Sequence, residues 1–321
     1  MKRAFKFAIV GGGLTATSML CQFVEKAAVH VRLGKLNPRL INLSLFEKTD
    51  AFGPGFPHNP RYLMPFHITN MCAADMGVYA ARPGDFQVWV DRHLDRLKIQ
   101  YNDFPADVFG SALGHGPCEH YPRAFMGAYL QSRFHRAVKA ARRLGMAINL
   151  YPCHEITDVR QVSGMARLVV LRPPIGGCPE MLADAVLLAT GHWFPNSRQI
   201  NYFDSPWPAK NLLENFPPGA ELAIIGTSLS AIETVLTLTS DGRFAGHSGG
   251  RLSYIPSNEP RRITLYSRSG LLPKVRGKLG VRNNRFLTPS AFEKISNQND
   301  GRLTLAATSK LLNAELEAIY G

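Results

Sequence analysis

Three small residues at fixed spacing, Gly11, Gly13 and Ala16, follow a short apolar run and open a helical pattern. A strand-to-helix turn that holds a pyrophosphate makes three steric demands. The first glycine permits the tight turn, the second lets phosphate approach bare backbone, and the third small residue lets helix pack on strand. Gly11, Gly13 and Ala16 meet all three. The helix that follows turns free N–H groups and the positive end of its dipole toward the phosphates, so Gly12, Leu14 and Thr15 count among the contacts. An acidic residue at the end of the next strand should accept from the ribose hydroxyls, and Glu47 stands there with Lys48 beside it. The interval from turn to acid exceeds the usual one, and the Arg32–Pro38 extension of the helix accounts for the excess. The competing reading of Glu47 is a solvated strand end.

The pattern recurs. Gly226, Ser228 and Ala231 follow a second apolar run, with Thr227 and Ser230 in the same turn. Serine at the middle position removes the bare-backbone approach but adds a hydroxyl that can donate to phosphate. The next strand ends in Ser267-Arg268 and not in an acid. A carboxylate there would accept from ribose hydroxyls, whereas a guanidinium pairs with a 2′-phosphate. The competing reading of Arg268 is an exposed arginine on a basic protein.

The elements that must position these turns are legible from periodicity. Phe7–Val10 reads as a buried parallel strand and Thr17–Arg32 as a helix ended by Gly34 and Pro38. Leu40–Phe46 is the returning strand, which completes one β-α-β unit. Phe52–His67, rich in Gly, Pro and aromatics, reads as a long irregular loop of the kind that tends to carry function. Helical periodicity returns at Asp85–Leu97 and Arg123–Leu144. Strand candidates follow at Ala147–Tyr151, Ala166–Arg172 and Ala185–Ala189, the last ending in Thr190-Gly191-His192. After a proline-rich connector, strand Glu221–Ile225, a helix from Ala231 to Leu238 and strand Arg262–Tyr266 form the second unit. The Gly/Ser-rich segment Ser240–Ser257 between them reads as a loop. The expected fold is α/β with two Rossmann-like dinucleotide-binding units, residues 1–215 and 216–321, the second following or inserted in the first.

Composition excludes several classes. The chain has 321 residues, 45% hydrophobic and 19% charged, enough apolar material for a core and too little charge for a disordered chain. A net charge of +13 could attract nucleic acid, an anionic membrane or a phosphate-rich small molecule. The charge is scattered without a block of five, which argues against a nucleic-acid arm. No apolar run approaches the roughly 20 residues of a membrane span, and the N-terminus is too short before its glycines for a signal peptide. Five widely spaced cysteines contain no C-x-x-C pair. Cys118-x-His120 and Cys153-His154 lack second pairs at ligand spacing, so no metal is expected. Reduced thiols and a cytoplasmic location are the expectation. His58, His67, His115, His120 and His192 each read as structural before they read as acids or bases.

In order along nearly the whole chain, the motifs resemble the bacterial FAD/NAD(P)-binding oxidoreductase-like family, FAD-dependent urate hydroxylases included. More distantly they are similar to flavin N-hydroxylases and Baeyer–Villiger-type monooxygenases. The motifs are Ile9-Val10-Gly11-Gly12-Gly13, Gly53-x-Gly55-Phe56, Thr69-Asn70-Met71, Tyr121-Pro122-Arg123, Gly127-x-Tyr129-Leu130, Leu188-Ala189-Thr190-Gly191-His192, Ile225–Ala231 and Ser267–Pro273. The resemblance implies that Gly11, Gly13 and Glu47 hold the FAD pyrophosphate and adenosine ribose. It implies that Asn70 and Met71 lie along the flavin and that Thr190-Gly191 closes over it. Gly226, Ser228 and Arg268 would serve NADPH or NADH. Asn70 also reads as an Asx turn cap, and Arg123 as a surface residue at a helix start or a phosphate contact. In the family the chain returns from the second unit to finish the flavin domain; here it ends at Gly321 after an amphipathic segment carrying Leu311, Leu312, Leu316 and Ile319, so that return is expected to be absent. The implied activity is an FAD-dependent, NAD(P)H-using oxidoreductase or monooxygenase acting on a small-molecule substrate, with neither nucleic acid nor membrane as partner. The alternatives are a non-catalytic dinucleotide-binding or regulatory protein and, more distantly, an RNA-binding module.

Overall fold

Strand β1, Phe5–Val10, alternates as a strand must, sending Phe7 and Ile9 to one face of its sheet and Ala8 to the other. The computed structural model describes residues 3–102, 104, 120–162, 167–172, 180–192, 201–246, 252–274 and 284–320. Two units, Met1–Leu271 and Leu272–Gly321, are each compact.

The first unit is mixed α/β. Helix α1, Leu14–Arg32, connects β1 to β2, Ile41–Glu47. Helices α2, Asp85–Gln100, and α3, Arg123–Leu144, then lead to β3, Ala147–Pro152. Strands β4, Glu155–Gln161, β5, Arg167–Arg172, and β6, Glu180–Ala183, form an antiparallel sheet of their own. Strand β7, Ala185–Leu188, rejoins the first sheet, whose order is β3-β2-β1-β7 with every pair parallel. One face of that sheet carries the main core, in which Leu20 and Val24 of α1, Leu43 and Leu45 of β2, and Phe125, Tyr129 and Phe134 of α3 are buried together. The opposite face packs Ala8 and Phe46 with Ala183, Met181 and Ile156 of the antiparallel sheet. Phe46 stacks on Tyr151, its register partner on β3, with centroids 4.7 Å apart.

Further on in the same unit come α4, Ala209–Asn215, and then β8, Glu221–Ile225, α5, Leu229–Leu238, and β11, Arg262–Tyr266. β8 and β11 pair in parallel, a second β-α-β connection. The intervening Gly/Ser-rich stretch, expected from its composition to be a loop, is not all loop. Its ends, β9, Arg243–Gly246, and β10, Leu252–Ile255, pair antiparallel. Phe244, opposite Tyr254 with ring centroids 5.5 Å apart, supplies a cross-strand aromatic contact that outweighs the surrounding glycines.

In the second unit, Thr288 caps helix α6, Pro289–Gln298, by accepting from the Ala291 N–H at 3.2 Å. Helix α7, Leu305–Tyr320, coincides with the amphipathic segment read from the sequence. Its Glu315 carboxylate accepts from the N–H groups of Arg285, Phe286 and Leu287 at 3.1, 2.7 and 3.0 Å. Those three donors hold its carboxyl below the usual range.

No helix among the described residues is long and apolar enough to cross a membrane. Cys21 and Cys153 are free thiols, but Cys72 is disulfide-bonded, so the expectation of uniformly reduced thiols fails at Cys72.

Candidate functional site

The parallel strand ends bring the first set of expected residues together. Gly11 has a left-handed φ of +97° and donates its N–H to the Phe46 carbonyl of β2 at 2.9 Å. A Cβ on Gly11 would lie 2.2 Å from the Ala189 carbonyl oxygen and 3.3 Å from Thr190 Cα, so the Thr190-Gly191 strand end does abut the turn. Both the positive φ and this close approach demand glycine.

Gly13 caps α1 in an extended conformation, with no side chain capping the helix and no acidic residue in its first turn. Leu14 and Thr15, the first two helical residues, are exposed. The helix therefore starts with no side chain capping its first N–H groups and no carboxylate near its positive dipole end, the arrangement that favours an anion. Gly13 also has a packing reason to lack a side chain: a Cβ there would meet Gly55 Cα at 3.2 Å, and one on Gly55 would meet Gly13 Cα at 2.9 Å. The Gly53–Gly55 segment of the long loop thus seats directly on the turn, and Gly53 donates its N–H to the Gly12 carbonyl at 2.7 Å.

Glu47 is only 7% exposed, which removes the solvated-strand-end reading. Its Oε2 accepts from the Gly12 N–H at 2.8 Å, and Oε1 accepts from the Thr49 N–H at 2.9 Å and hydroxyl at 3.0 Å. The carboxylate fixes the turn and, with roughly four acceptor directions, retains capacity for a further donor. Lys48 beside it is exposed.

Asn70 and Met71 are both exposed. Asn70 does not act as the Asx cap that was the alternative; its Oδ1 accepts from Arg123 Nη2 at 3.0 Å. Arg123 is neither a surface residue nor an open phosphate contact. It is 8% exposed, donates Nε to the Ile68 carbonyl at 3.0 Å, and pairs with Glu233 of α5 at 2.5 Å.

Burial, with Arg123 nearby, pushes the His58 and His67 rings down to about 4. Both are neutral at neutral pH, in keeping with a structural role. His67 Nδ1 accepts from the Met64 N–H at 3.2 Å, which puts its proton on Nε2, 3.1 Å from Thr237 Oγ1. His120 Nδ1 lies 2.8 Å from the Thr69 carbonyl, and His192 is exposed. His115, Cys118 and Cys178 lie outside the described residues.

The second turn repeats the first in its backbone. Gly226 has φ +114° and donates to the Tyr266 carbonyl of β11 at 2.7 Å. Ser228 is extended, caps α5 without a side-chain hydrogen bond, and is followed by a first turn free of acidic residues. Thr227 Oγ1 donates to the Leu271 carbonyl at 2.8 Å, which holds the turn against the segment after β11. Ser228 and Ser230 are exposed, as is Arg268. Arg268 makes no ion pair among the described residues, and the buried Ser267 Oγ beside it has no hydrogen-bond partner there.

Glu233 and Thr237 went unread in the sequence. The signal was present, since Glu233 is the one charged residue in the otherwise uncharged helix Leu229–Leu238.

Residues 8–193, more than half of the chain, match the family model described as FAD-NAD(P)-binding. The uncharacterized protein YdhS of Escherichia coli (strain K12) is 24% identical over 318 residues, covering 97% of this chain and 51% of that protein. Among solved structures, the ornithine N-hydroxylase of Kutzneria sp. 744, with FADred, NADP+ and L-orn, is similar over 93% of this chain and 62% of its own, at 15% identity and TM-score 0.50. The ornithine hydroxylase of Pseudomonas aeruginosa is similar over 73% of this chain and 51% of its own, at 12% identity and TM-score 0.45. The chain thus spans about half the length of YdhS and under two thirds of each of the two hydroxylase chains.

Proposed function

This chain belongs to the FAD-NAD(P)-binding family, and we propose on that footing that it is an FAD-dependent, NADPH-using oxidoreductase or monooxygenase acting on a small molecule. One observation carries the reading: two glycine turns of matching backbone geometry. In each, a left-handed glycine donates to a carbonyl at the end of the neighbouring parallel strand, and a helix without a side-chain cap begins three residues later. That duplication supports two Rossmann-like units, an FAD-binding one over residues 1–215 and a nicotinamide-binding one over 216–321.

FAD fits the first turn. Backbone N–H groups at Gly13, Leu14 and Thr15 receive the pyrophosphate, with Gly11 and Gly12 shaping the turn. The spare acceptor capacity of Glu47 takes the ribose hydroxyls, and Lys48 adds positive charge beside them. Asn70 and Met71 line the flavin side, with Thr190 and Gly191 covering the turn. Bound FAD supplies a two-electron acceptor; the protein supplies position and exclusion of water. At the second turn Gly226, Thr227, Ser228 and Ser230 cradle the nicotinamide nucleotide's phosphates.

The reading is tested first by titration with FAD and with FMN. FAD is expected to bind more tightly, because Gly11, Gly13 and Glu47 together describe a site for an ADP half. Equal affinity for the two would contradict it.

Arg268 sets the choice of nicotinamide. A charge-assisted hydrogen bond contributes about 1.5–3 kcal/mol, or roughly ten- to hundredfold discrimination. NADPH is expected to outbind NADH by that ratio at low salt, and Arg268→Ala to lose most of it. If Arg268→Ala weakens both nucleotides equally, the guanidinium is a general surface charge and the specificity claim fails.

A further inference from the structure

Arg123 and Glu233 form a buried ion pair that neither glycine turn needs for its own geometry. Arg123 lies in the first turn of α3 and Glu233 in the middle of α5. The guanidinium reaches three acceptors from two separate parts of the chain: the Ile68 carbonyl and Asn70 Oδ1 of one segment, and Glu233 Oε1. Its own N–H donates to the His67 carbonyl at 2.8 Å. Thr237, one turn beyond Glu233 on the same face of α5, donates to the Glu233 carbonyl at 2.8 Å and so accepts from His67 Nε2. The segment from His67 to Asn70 is therefore pinned to α5 at two points a turn apart. Glu233 Oε2 is buried and has no partner among the described residues. Apolar side chains of similar volume would hold the helix at least as firmly as a buried ion pair does. What the charged pair adds is a single register between α5 and the Ile68–Asn70 segment.

We propose that Arg123 is a positioning residue that couples the two nucleotide sites. Through Glu233 it ties the helix behind the Gly226 turn to the segment that presents Asn70, so that nucleotide bound at the second turn orders the flavin side of the first. The proposal rests on the two-nucleotide reading above, and it concerns order and position, not a proton or an electron.

Hydrogen exchange of the FAD-loaded full chain, with and without NADP+, tests it without turnover. In the unmodified protein NADP+ is expected to slow exchange both at residues 226–231 and, by about fivefold or more, at residues 68–71, within the usual range of coupling between sites. In Glu233→Gln the protection at 226–231 is expected to persist while that at 68–71 disappears. Should Glu233→Gln fold poorly, the double replacement Arg123→Met with Glu233→Leu fills the same space without charge and is expected to give the same split. Protection at 68–71 that survives in the folded variant overturns the proposal, as does its absence in the unmodified protein when 226–231 is protected. No protection at either segment means that the second turn does not bind the nucleotide, which overturns the two-nucleotide reading and the coupling with it.

Discussion

Replacing Gly13 with valine is expected to lower FAD affinity by about 100-fold, some 2.7 kcal/mol, within the roughly 1–3 kcal/mol range of overpacking costs. The sequence alone suggests that a branched side chain would sit where the pyrophosphate belongs. The structure adds a second cause. The new Cβ would press on Gly55 Cα at 3.2 Å, and the γ-methyl groups add bulk behind it. Gly55 then cannot seat, Gly53 loses its bond to the Gly12 carbonyl, and the turn that starts α1 shifts. Gly55→Ala tests the packing cause from the other side of the contact: its Cβ would lie 2.9 Å from Gly13 Cα and 3.9 Å from the Leu14 nitrogen. Packing predicts weaker FAD binding in Gly55→Ala as well. Fluorescence titration with FAD measures both variants. A Gly13→Val protein that keeps full affinity would contradict the turn assignment under either account.

The turns themselves were legible because their chemistry is local. Strand, small-residue spacing and helix onset lie within a dozen residues, and Arg123–Leu144, Glu221–Ile225 and Arg262–Tyr266 coincide with the observed elements. The rest depends on partners distant in sequence. β4 and β6 exist because β5 pairs with each of them, and neither four-residue β6 nor Arg-, Asp- and Gln-bearing β4 has a strong strand pattern. β9 and β10 were obscured by the glycines and serines around them. Arg123 looked like a helix-start surface residue because its counter-charge, Glu233, lies 110 positions away along the chain. Gly55 was recognised as part of a motif, but its contact with Gly13 is a tertiary fact.

The second large effect concerns stability. Asp85→Ala is expected to destabilise the first unit by about 3–5 kcal/mol, the usual cost of stranding one member of a buried ion pair. Asp85 and Arg133 are joined in a fork, Nε to Oδ2 at 2.8 Å and Nη2 to Oδ1 at 3.0 Å, with both side chains little more than a tenth exposed. The Tyr129 hydroxyl donates to the same Oδ2 at 2.7 Å and accepts from the Val78 N–H at 3.0 Å. This network joins the start of α2 to the middle of α3, and α3 carries much of the core beneath the first glycine turn. Removing the carboxylate leaves a buried guanidinium and a buried phenol without their acceptor. At roughly 2–4 °C per kcal/mol for a domain of this size, the melting temperature should fall by at least about 6 °C. Asp85→Asn keeps one acceptor oxygen and should cost less. Thermal unfolding followed by circular dichroism decides the matter; equal melting temperatures for Asp85→Ala and the unmodified protein would mean that the network is not a determinant of stability.

A chain that holds both FAD and NADPH, as proposed, would pass hydride from one to the other. The visible absorbance of the FAD-loaded protein, followed anaerobically as NADPH is added, reports that transfer. Two turns of matching geometry, each with an uncapped helix behind it, predict bleaching of the flavin band near one equivalent of NADPH. A flavin band that persists at saturating NADPH, in protein that dithionite reduces normally, would contradict the claim and favour a dinucleotide-binding protein without this catalysis.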